Sequence, residues 1–249
     1  MASPRRSSFR WLFIIAAVIA FAGVIAALRL LSPTLTPPVP DAISVVHETP
    51  MSTRDQVVPP ASESDARIRG LLQSALGRAR SWLGQTDLLR RAVVATVNIA
   101  EDVSPREPLD FAKPKRSFVA RPSMEPRAYA RYGFFANAIA SINSGSVAQA
   151  VRVLTPWLDA AYHRLGYPGR SFGETLVAAL ERIERAPVIE GDIELHPEGA
   201  FYQFVDPRLE ALGPVEKHLL RMGPRNTRLI QHKAHEFKIA LATSIAAAN

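Results

Sequence analysis

Residues 204–226 read Phe204-Val-Asp-Pro-Arg-Leu-Glu-Ala-Leu-Gly-Pro-Val-Glu-Lys-His-Leu-Leu-Arg-Met-Gly-Pro-Arg-Asn226, and three proline pairs punctuate them. Asp206-Pro207 marks a helix start. The aspartate accepts an orphan amide, and proline suits the first helical position because its missing N–H would be unpaired there anyway. Gly213-Pro214 stops that helix and starts another, and Gly223-Pro224 stops the second. Beyond it Ile230, Ala234, Phe237, Leu241 and Ile245 recur at helical spacing, which predicts a last helix to about Ala247. Helices in series, with no parallel-sheet pattern around them, point to a mainly α fold.

Working upstream, Ile193-Glu-Leu195 and Phe201-Tyr-Gln-Phe204 alternate and are split by His196-Pro-Glu-Gly199, a small β-hairpin. Ser171 to Arg185 is helical, with Leu176, Leu180 and Ile183 facing in. Ser146 is expected to cap a longer helix to Leu165, carrying Val147, Val151, Leu154, Leu158, Ala161 and Leu165, with a kink or break at Pro156. Ala136 to Ile142 and Pro126 to Arg131 are shorter helices. Ser117 to Ala120 reads as a short strand, and Pro105 and Pro108 open a loop to about Pro114. Thr86 is expected to cap a helix with Leu89, Val93, Val97 and Ala100 on one face; its β-branched run keeps a strand in competition. Ser64 is expected to cap the first helix, with Ile68, Leu71, Leu72, Ala75 and Leu76.

Before that helix the composition changes. Residues 32–63 hold Pro33, Pro37, Pro38, Pro40, Pro50, Pro59 and Pro60 and few large apolar groups. They read as a Pro-rich disordered linker, which cannot bury enough surface to offset its ordering entropy. The run Trp11 to Leu28 carries no charge and spans about 27 Å as a helix, close to the hydrocarbon thickness of a bilayer. Residues 11–31 are therefore expected to be a single-pass transmembrane helix. Arg5, Arg6 and Arg10 precede it, so the positive-inside rule puts residues 1–10 in the cytoplasm and residues 64–249 outside it, as a multi-helix domain. The competing reading is a cleaved signal peptide, but the run is long for one and Arg29-Leu-Leu-Ser-Pro33 is a poor cleavage site. Gly23 and Ala27 form a small-xxx-small pair, a weak pointer to dimerisation through the anchor.

The net charge is +7, with 30 basic and 23 acidic residues. Arg5, Arg6, Arg10 and Arg29 account for more than half of the excess, so the domain is close to neutral and nucleic acid is not expected as a partner. There is no cysteine, which excludes a disulfide framework and a thiolate metal site.

The block Phe204 to Asn226 resembles a bacterial family of domains of unknown function, number three thousand and fourteen. Arg90-Arg-Ala-Val-Val-Ala-Thr-Val-Asn98 looks like its first block, and Ala130-Arg-Tyr132 and Ala161-Tyr-His-Arg-Leu-Gly166 look like its middle ones. The resemblance runs from about Asp65 to Leu241. It implies a cytoplasmic stub, an anchor, a proline-rich tether and an envelope domain in Gram-negative bacteria. It implies no activity and carries over no functional residue.

Three constellations invite chemistry. Gly169-Arg-Ser171-Phe-Gly173 fits the nucleophile-elbow pattern, but no strand precedes it, and Ser171 with Glu174 reads better as a capping box. His232-Lys-Ala-His235-Glu236 has histidines at i and i+3 with the glutamate outside the pair, unlike zinc-protease motifs, and reads as a solvated face. Arg221, Arg225 and Arg228 flank Gly223-Pro224, near Asp206, Glu210 and Glu216. They suit an anion pocket, with ordinary capping and exposed ion pairs as the plainer alternative. No catalytic residue, metal ligand or cofactor is assigned. The candidate ligand- or partner-binding residues are Arg131, Tyr132, Asp206, Arg221, Arg225 and Asn226. The function expected is a binding or scaffolding module that takes an envelope protein or polymer. The alternatives are a periplasmic hydrolase acting on a cell-envelope substrate and a structural spacer.

Overall fold

A computed structural model describes residues 58–114, 123–124, 126–199 and 201–246. All of them belong to the second of the chain's two units, Thr53–Asn249. The expected stub 1–10, anchor 11–31, nearly all of the linker and the strand at Ser117 to Ala120 lie outside the described residues. Among those described, no helix is long and apolar enough to cross a membrane.

The fold is mainly helical with a small antiparallel sheet. Five long helices make the body: α1 (Ala61–Leu72), α2 (Leu88–Ala100), α5 (Ser144–Arg164), α6 (Phe172–Arg185) and α9 (Pro224–Ala246). Each turns an apolar stripe toward the others, and Ile68, Leu89, Val93, Leu154, Leu158, Leu176, Leu180 and Leu241 meet in one core. Between α1 and α2 lies a 3₁₀ segment, Gly77–Gly84. The shorter elements are α3 (Pro126–Tyr129), a 3₁₀ turn at Ala130–Tyr132, α4 (Gly133–Ala140), α7 (Pro207–Glu210) and α8 (Pro214–Leu220). The strands β1 (Ser123–Met124), β2 (Ile193–Glu198) and β3 (Phe201–Phe204) form one sheet in that order. Met124 pairs with Ile193, Leu195 with Phe204, and Glu198 with Phe201. Its apolar face, Met124, Ile193, Leu195 and Phe204, packs with Tyr129 and Leu220 in a second, smaller core.

Several expectations change. The first helix starts at Ala61, inside the stretch assigned to the linker, and Ser64 lies within it. Its hydroxyl donates to the carbonyls of Pro60 and Ala61 instead of capping. Ala75 and Leu76 are buried but lie past the end of α1. Residues 88–100 are a helix and not the rival strand. Thr86 does not cap it. The amides of Asp87 and Leu88 donate to the Asp65 carboxylate at 2.9 and 2.7 Å, so the cap comes from α1. Asn143, not Ser146, caps α5, taking the Ser146 amide at 2.8 Å.

The helix α5 runs unbroken through Pro156, carried by buried Leu154, Leu158 and Tyr162 on either side of it. Tyr162 replaces Leu165 on the buried face, and Leu165 is 40% exposed. The hairpin is tighter than read: His196, Pro197 and Glu198 are paired strand residues, and β1 adds a third strand.

Two caps match the reading. Ser171 Oγ accepts from the Gly173 amide at 3.0 Å, and Asp206 Oδ1 accepts from the Arg208 amide at 2.8 Å. The Ser171 cap is not a closed box on Glu174, because the donor is Gly173 and the Phe172 amide goes to Asp159 Oδ1 at 2.8 Å.

Candidate functional site

A cavity of about 360 Å³ opens between the loop 105–114, the Arg131-Tyr132 turn, α4 and α8. Each wall is short, and each is fixed by a contact from elsewhere in the chain.

The loop is pinned to α2. Arg91 Nη1 donates to the Pro108 carbonyl and to Asp110 Oδ1, both at 3.0 Å. Trp82 from the 3₁₀ segment meets Phe111 edge-on at 5.8 Å and stacks on Phe135 of α4 at 5.5 Å. That sandwich sets both the loop and the Phe135 ring. Arg91 also holds the Asp110 carboxyl below its ordinary value, chiefly through their hydrogen bond. Arg106, Leu109, Ala112 and Lys113 on this loop line the cavity.

The turn bearing Arg131 and Tyr132 is held through α3. The Tyr129 ring lies against Gly223, where an added Cβ would come within 2.2 Å of its Cγ, and Gly223 has φ +83°. Only glycine fits this approach and this backbone. Asn226 is 4% exposed and donates from Nδ2 to the Tyr129 carbonyl at 3.0 Å and the Met222 carbonyl at 2.8 Å. Thr227 Oγ1 donates to the carbonyls of Leu219 and Gly223. Gly223, Asn226 and Thr227 therefore serve the fold.

The helix α8 is placed by α2 and α6. Asp102 Oδ1 accepts from the Val215 amide at 3.1 Å. A Cβ on Gly213 would sit 1.7 Å from that carboxylate, so a glycine is required before Pro214. Arg182 of α6 donates to Glu216 Oε1 at 3.1 Å and lies 3.7 Å from Asp102. These contacts fix His218 in the cavity wall.

Cations gather here. Arg106, Lys113 and Arg131 line the cavity, and among the described residues its lining contains no carboxylate. Arg221 stands beside them with Cζ 5.2 Å from the Phe204 ring centroid, and Arg131 Cζ is 4.8 Å from that of Tyr132. Tyr132 meets His218 edge-on at 6.4 Å. Burial, reinforced by Arg106, Arg221 and Arg131, holds His218 down at about 4. It is therefore neutral at neutral pH. Burial, then Arg106, also lowers Arg221. Burial disfavours a charge of either sign, whereas the repulsion from Arg106, Arg131 and Arg221 acts against a positive charge only and would attract a negative one.

The residues singled out from sequence separate. Arg131 and Tyr132 line the cavity and Arg221 adjoins it. Asp206 caps α7 away from it. Arg225 turns to Asn137 Oδ1 at 3.1 Å and Asn226 Oδ1 at 3.2 Å, and Arg228 pairs with Glu190. The three arginines around Gly223-Pro224 thus do not converge. Glu210 takes the Lys217 ammonium and the Phe204 amide, and chiefly the lysine keeps its carboxyl below the ordinary value.

Sequence reading missed Arg106, Lys113, Phe135 and His218. The spacing of His218, Arg221 and Met222 on one helix face was the available signal.

The remaining motifs resolve locally. Ser171 sits at a helix start after a turn, not on a strand end. His232 pairs with Glu236 at 2.9 Å and His235 with Glu184 at 3.0 Å, so the two histidines go to different carboxylates. Among the described residues no group of three or more such ligands is placed to hold a metal.

A family model described as "Protein of unknown function (DUF3014)" matches residues 88–238, which takes in every residue lining the cavity. No curated protein and no solved structure matches the chain.

Proposed function

The chain belongs to the DUF3014 family, and on that premise we propose that it is a tethered envelope module that binds an envelope component through an anionic group. Residues 11–31 are the inner-membrane anchor, with the N-terminus in the cytoplasm. The proline-rich stretch after it is the tether, and the helical domain works in the periplasm. The uncharged run, its basic flank and the proline content support that placement.

One observation carries the binding reading. Arg106, Lys113 and Arg131 line a cavity that has no carboxylate among its described lining residues, and Arg221 adjoins it. Guanidinium forks suit carboxylate and phosphate oxygens, and charge-assisted hydrogen bonds are about twice as strong as neutral ones. The rival hydrolase needs an activated nucleophile at the cavity. Among the described residues its lining offers the Tyr132 hydroxyl and the His218 imidazole, with no serine, threonine, aspartate or glutamate.

The test is crosslinking in intact cells, comparing the wild type with Arg106→Ala plus Lys113→Ala. Both side chains are exposed, so the double variant is expected to melt within a degree or two of the wild type. Loss of the crosslinked partner at unchanged stability supports the reading. An unchanged crosslink moves any binding site elsewhere. A reporter active only outside the cytoplasm, fused after Asn249, is expected to be active. An active cytoplasm-only reporter there overturns the orientation.

A further inference from the structure

We infer that the cavity takes an amphiphilic anion: one carboxylate or phosphate group held by Arg106 and Lys113 at the rim and by Arg131 in the wall, joined to a compact apolar body about the size of a phenyl ring that lies against Leu109, Phe135 and Met222. This inference rests on the anion-binding reading and specifies its ligand.

Three features lead to it. The first is size. A cavity of about 360 Å³ is at the small end of the range for small-molecule sites, roughly 300–1,000 Å³. It is much larger than an inorganic oxyanion needs, since a water occupies about 30 Å³. It is also too small to admit a folded domain, so what enters it is a small molecule or a single terminal group.

The second is the distribution of polarity. Pro105, Leu109, Ala112, Pro114, Phe135 and Met222 supply apolar wall, while Arg106 and Lys113 are exposed at the margin. A bare anion bound at that margin would leave the apolar wall wet. An apolar molecule without charge would leave the cations unused. A ligand with both parts satisfies both.

The third is preorganisation. Phe135 is clamped by stacking on Trp82 at 5.5 Å, and Trp82 also braces Phe111 on the loop. The aromatic wall is therefore set before the ligand arrives, which lowers the entropic cost of binding. The methionine beside it is a polarisable side chain that fits varied apolar shapes.

The experiment is calorimetric titration of the full chain in a non-ionic detergent with four probes: phenyl phosphate, 3-phenylpropionate, inorganic phosphate and benzyl alcohol. At least one of the two aromatic anions is expected to bind about tenfold or more tighter than inorganic phosphate, through burial of the ring. Whichever binds tighter identifies the natural head group as phosphate or carboxylate. Benzyl alcohol, without charge, is expected to bind at least tenfold more weakly than the better anion.

Two variants assign the parts. Arg106→Ala is expected to weaken the aromatic anions and inorganic phosphate alike, by about threefold to tenfold. Leu109→Ser is expected to weaken only the aromatic anions.

Inorganic phosphate binding as tightly as both aromatic anions overturns this inference and leaves the anion-binding reading standing. Benzyl alcohol binding as tightly as the anions, or no probe binding at all, overturns both.

Discussion

In the helical body, Val93 and Ala79 have no exposed surface, and Ala148 and Tyr162 have 1%. Around the cavity, Arg106 and Lys113 stand in solvent, and the helices behind the wall are as short as four residues in α3 and seven in α8. Helices of that length do not hold in water by themselves. The body gets its order from long apolar stripes that cover one another. The cavity gets its order from single polar or close contacts: Arg91 on the loop, Asn226 and Gly223 on α3, and Asp102 with Arg182 on α8. A region built of stripes tolerates surface change but not lost volume. A region built of single contacts can be displaced by one atom while the body stays folded.

The largest effect is expected in the body. Tyr162 stacks on Tyr167 at 4.7 Å, and its hydroxyl accepts from Thr175 Oγ1 at 2.8 Å. Tyr162→Ala is expected to cost about 3–5 kcal/mol in urea unfolding. The molecules that stay folded are expected to keep their affinity for phenyl phosphate. A loss of stability below about 1 kcal/mol would break the contrast, because the body would then not depend on filled volume.

Next comes Gly223→Ala. The new methyl would meet the Tyr129 ring, in a backbone conformation of φ +83° that alanine disfavours. The expected cost is about 2–4 kcal/mol. Here phenyl phosphate binding is expected to fall as well, because Tyr129 leads directly into Arg131 and Tyr132. Unchanged binding would mean that the turn does not depend on this contact.

A smaller effect separates two kinds of cap. Asp65 is 3% exposed and receives two amides of the α2 start. Asp65→Ala is expected to cost about 2–3 kcal/mol, because buried donors lose their acceptor. Ser171 serves its own helix at an exposed end, and Ser171→Ala is expected to cost about 1 kcal/mol. Ser171→Asp is expected to be tolerated. Equal losses for the two alanine variants would erase the distinction.

The last effect appears only on acidification: the pH response of the cavity wall. His218 is held down from 6.5 to about 4. Between those values the unfolded chain takes up a proton that the folded chain refuses. Stability is therefore full above pH 6.5 and falls as pH drops toward 4. His218→Gln is expected to flatten the melting temperature over that window. Glu184, Glu210 and Glu236, whose carboxyls are lowered chiefly by hydrogen bonds from Lys238, Lys217 and Lys233, lose their contribution only as pH falls below about 4.5. A wild-type curve already flat between 6.5 and 4.5 would place His218 in water.

These contrasts also account for what the sequence disclosed. The long helices were legible because their apolar residues recur at the helical period, as at Ile230, Ala234 and Leu241. Ser171 and Asp206 were legible as caps because each acts on an amide two residues on. Asp65, Asp102 and Asp159 act on amides 23, 113 and 13 residues away, and no local pattern signals that. The same holds for the cavity. Arg221, Arg225 and Arg228 are close in sequence and were grouped for that reason. The helix break at Gly223-Pro224 sends the last two to Asn137 and Glu190, while Arg106 reaches the site from a loop far upstream. Proximity in sequence misled where the backbone turns, and proximity in space left no sequence trace.

The carboxylate of Asp65 has a consequence for how the molecule opens. Helix ends usually fray, so their first amides exchange with solvent through small local openings. The amides of Asp87 and Leu88 are bound to a side chain of the preceding helix, itself anchored through Ile68 in the main core. To free them, α1 must leave. Their hydrogen exchange is therefore expected to be as slow as that of Val93 in the middle of α2. It should follow departure of the whole first helix and not fraying of the second, so α2 would begin with its most protected turn.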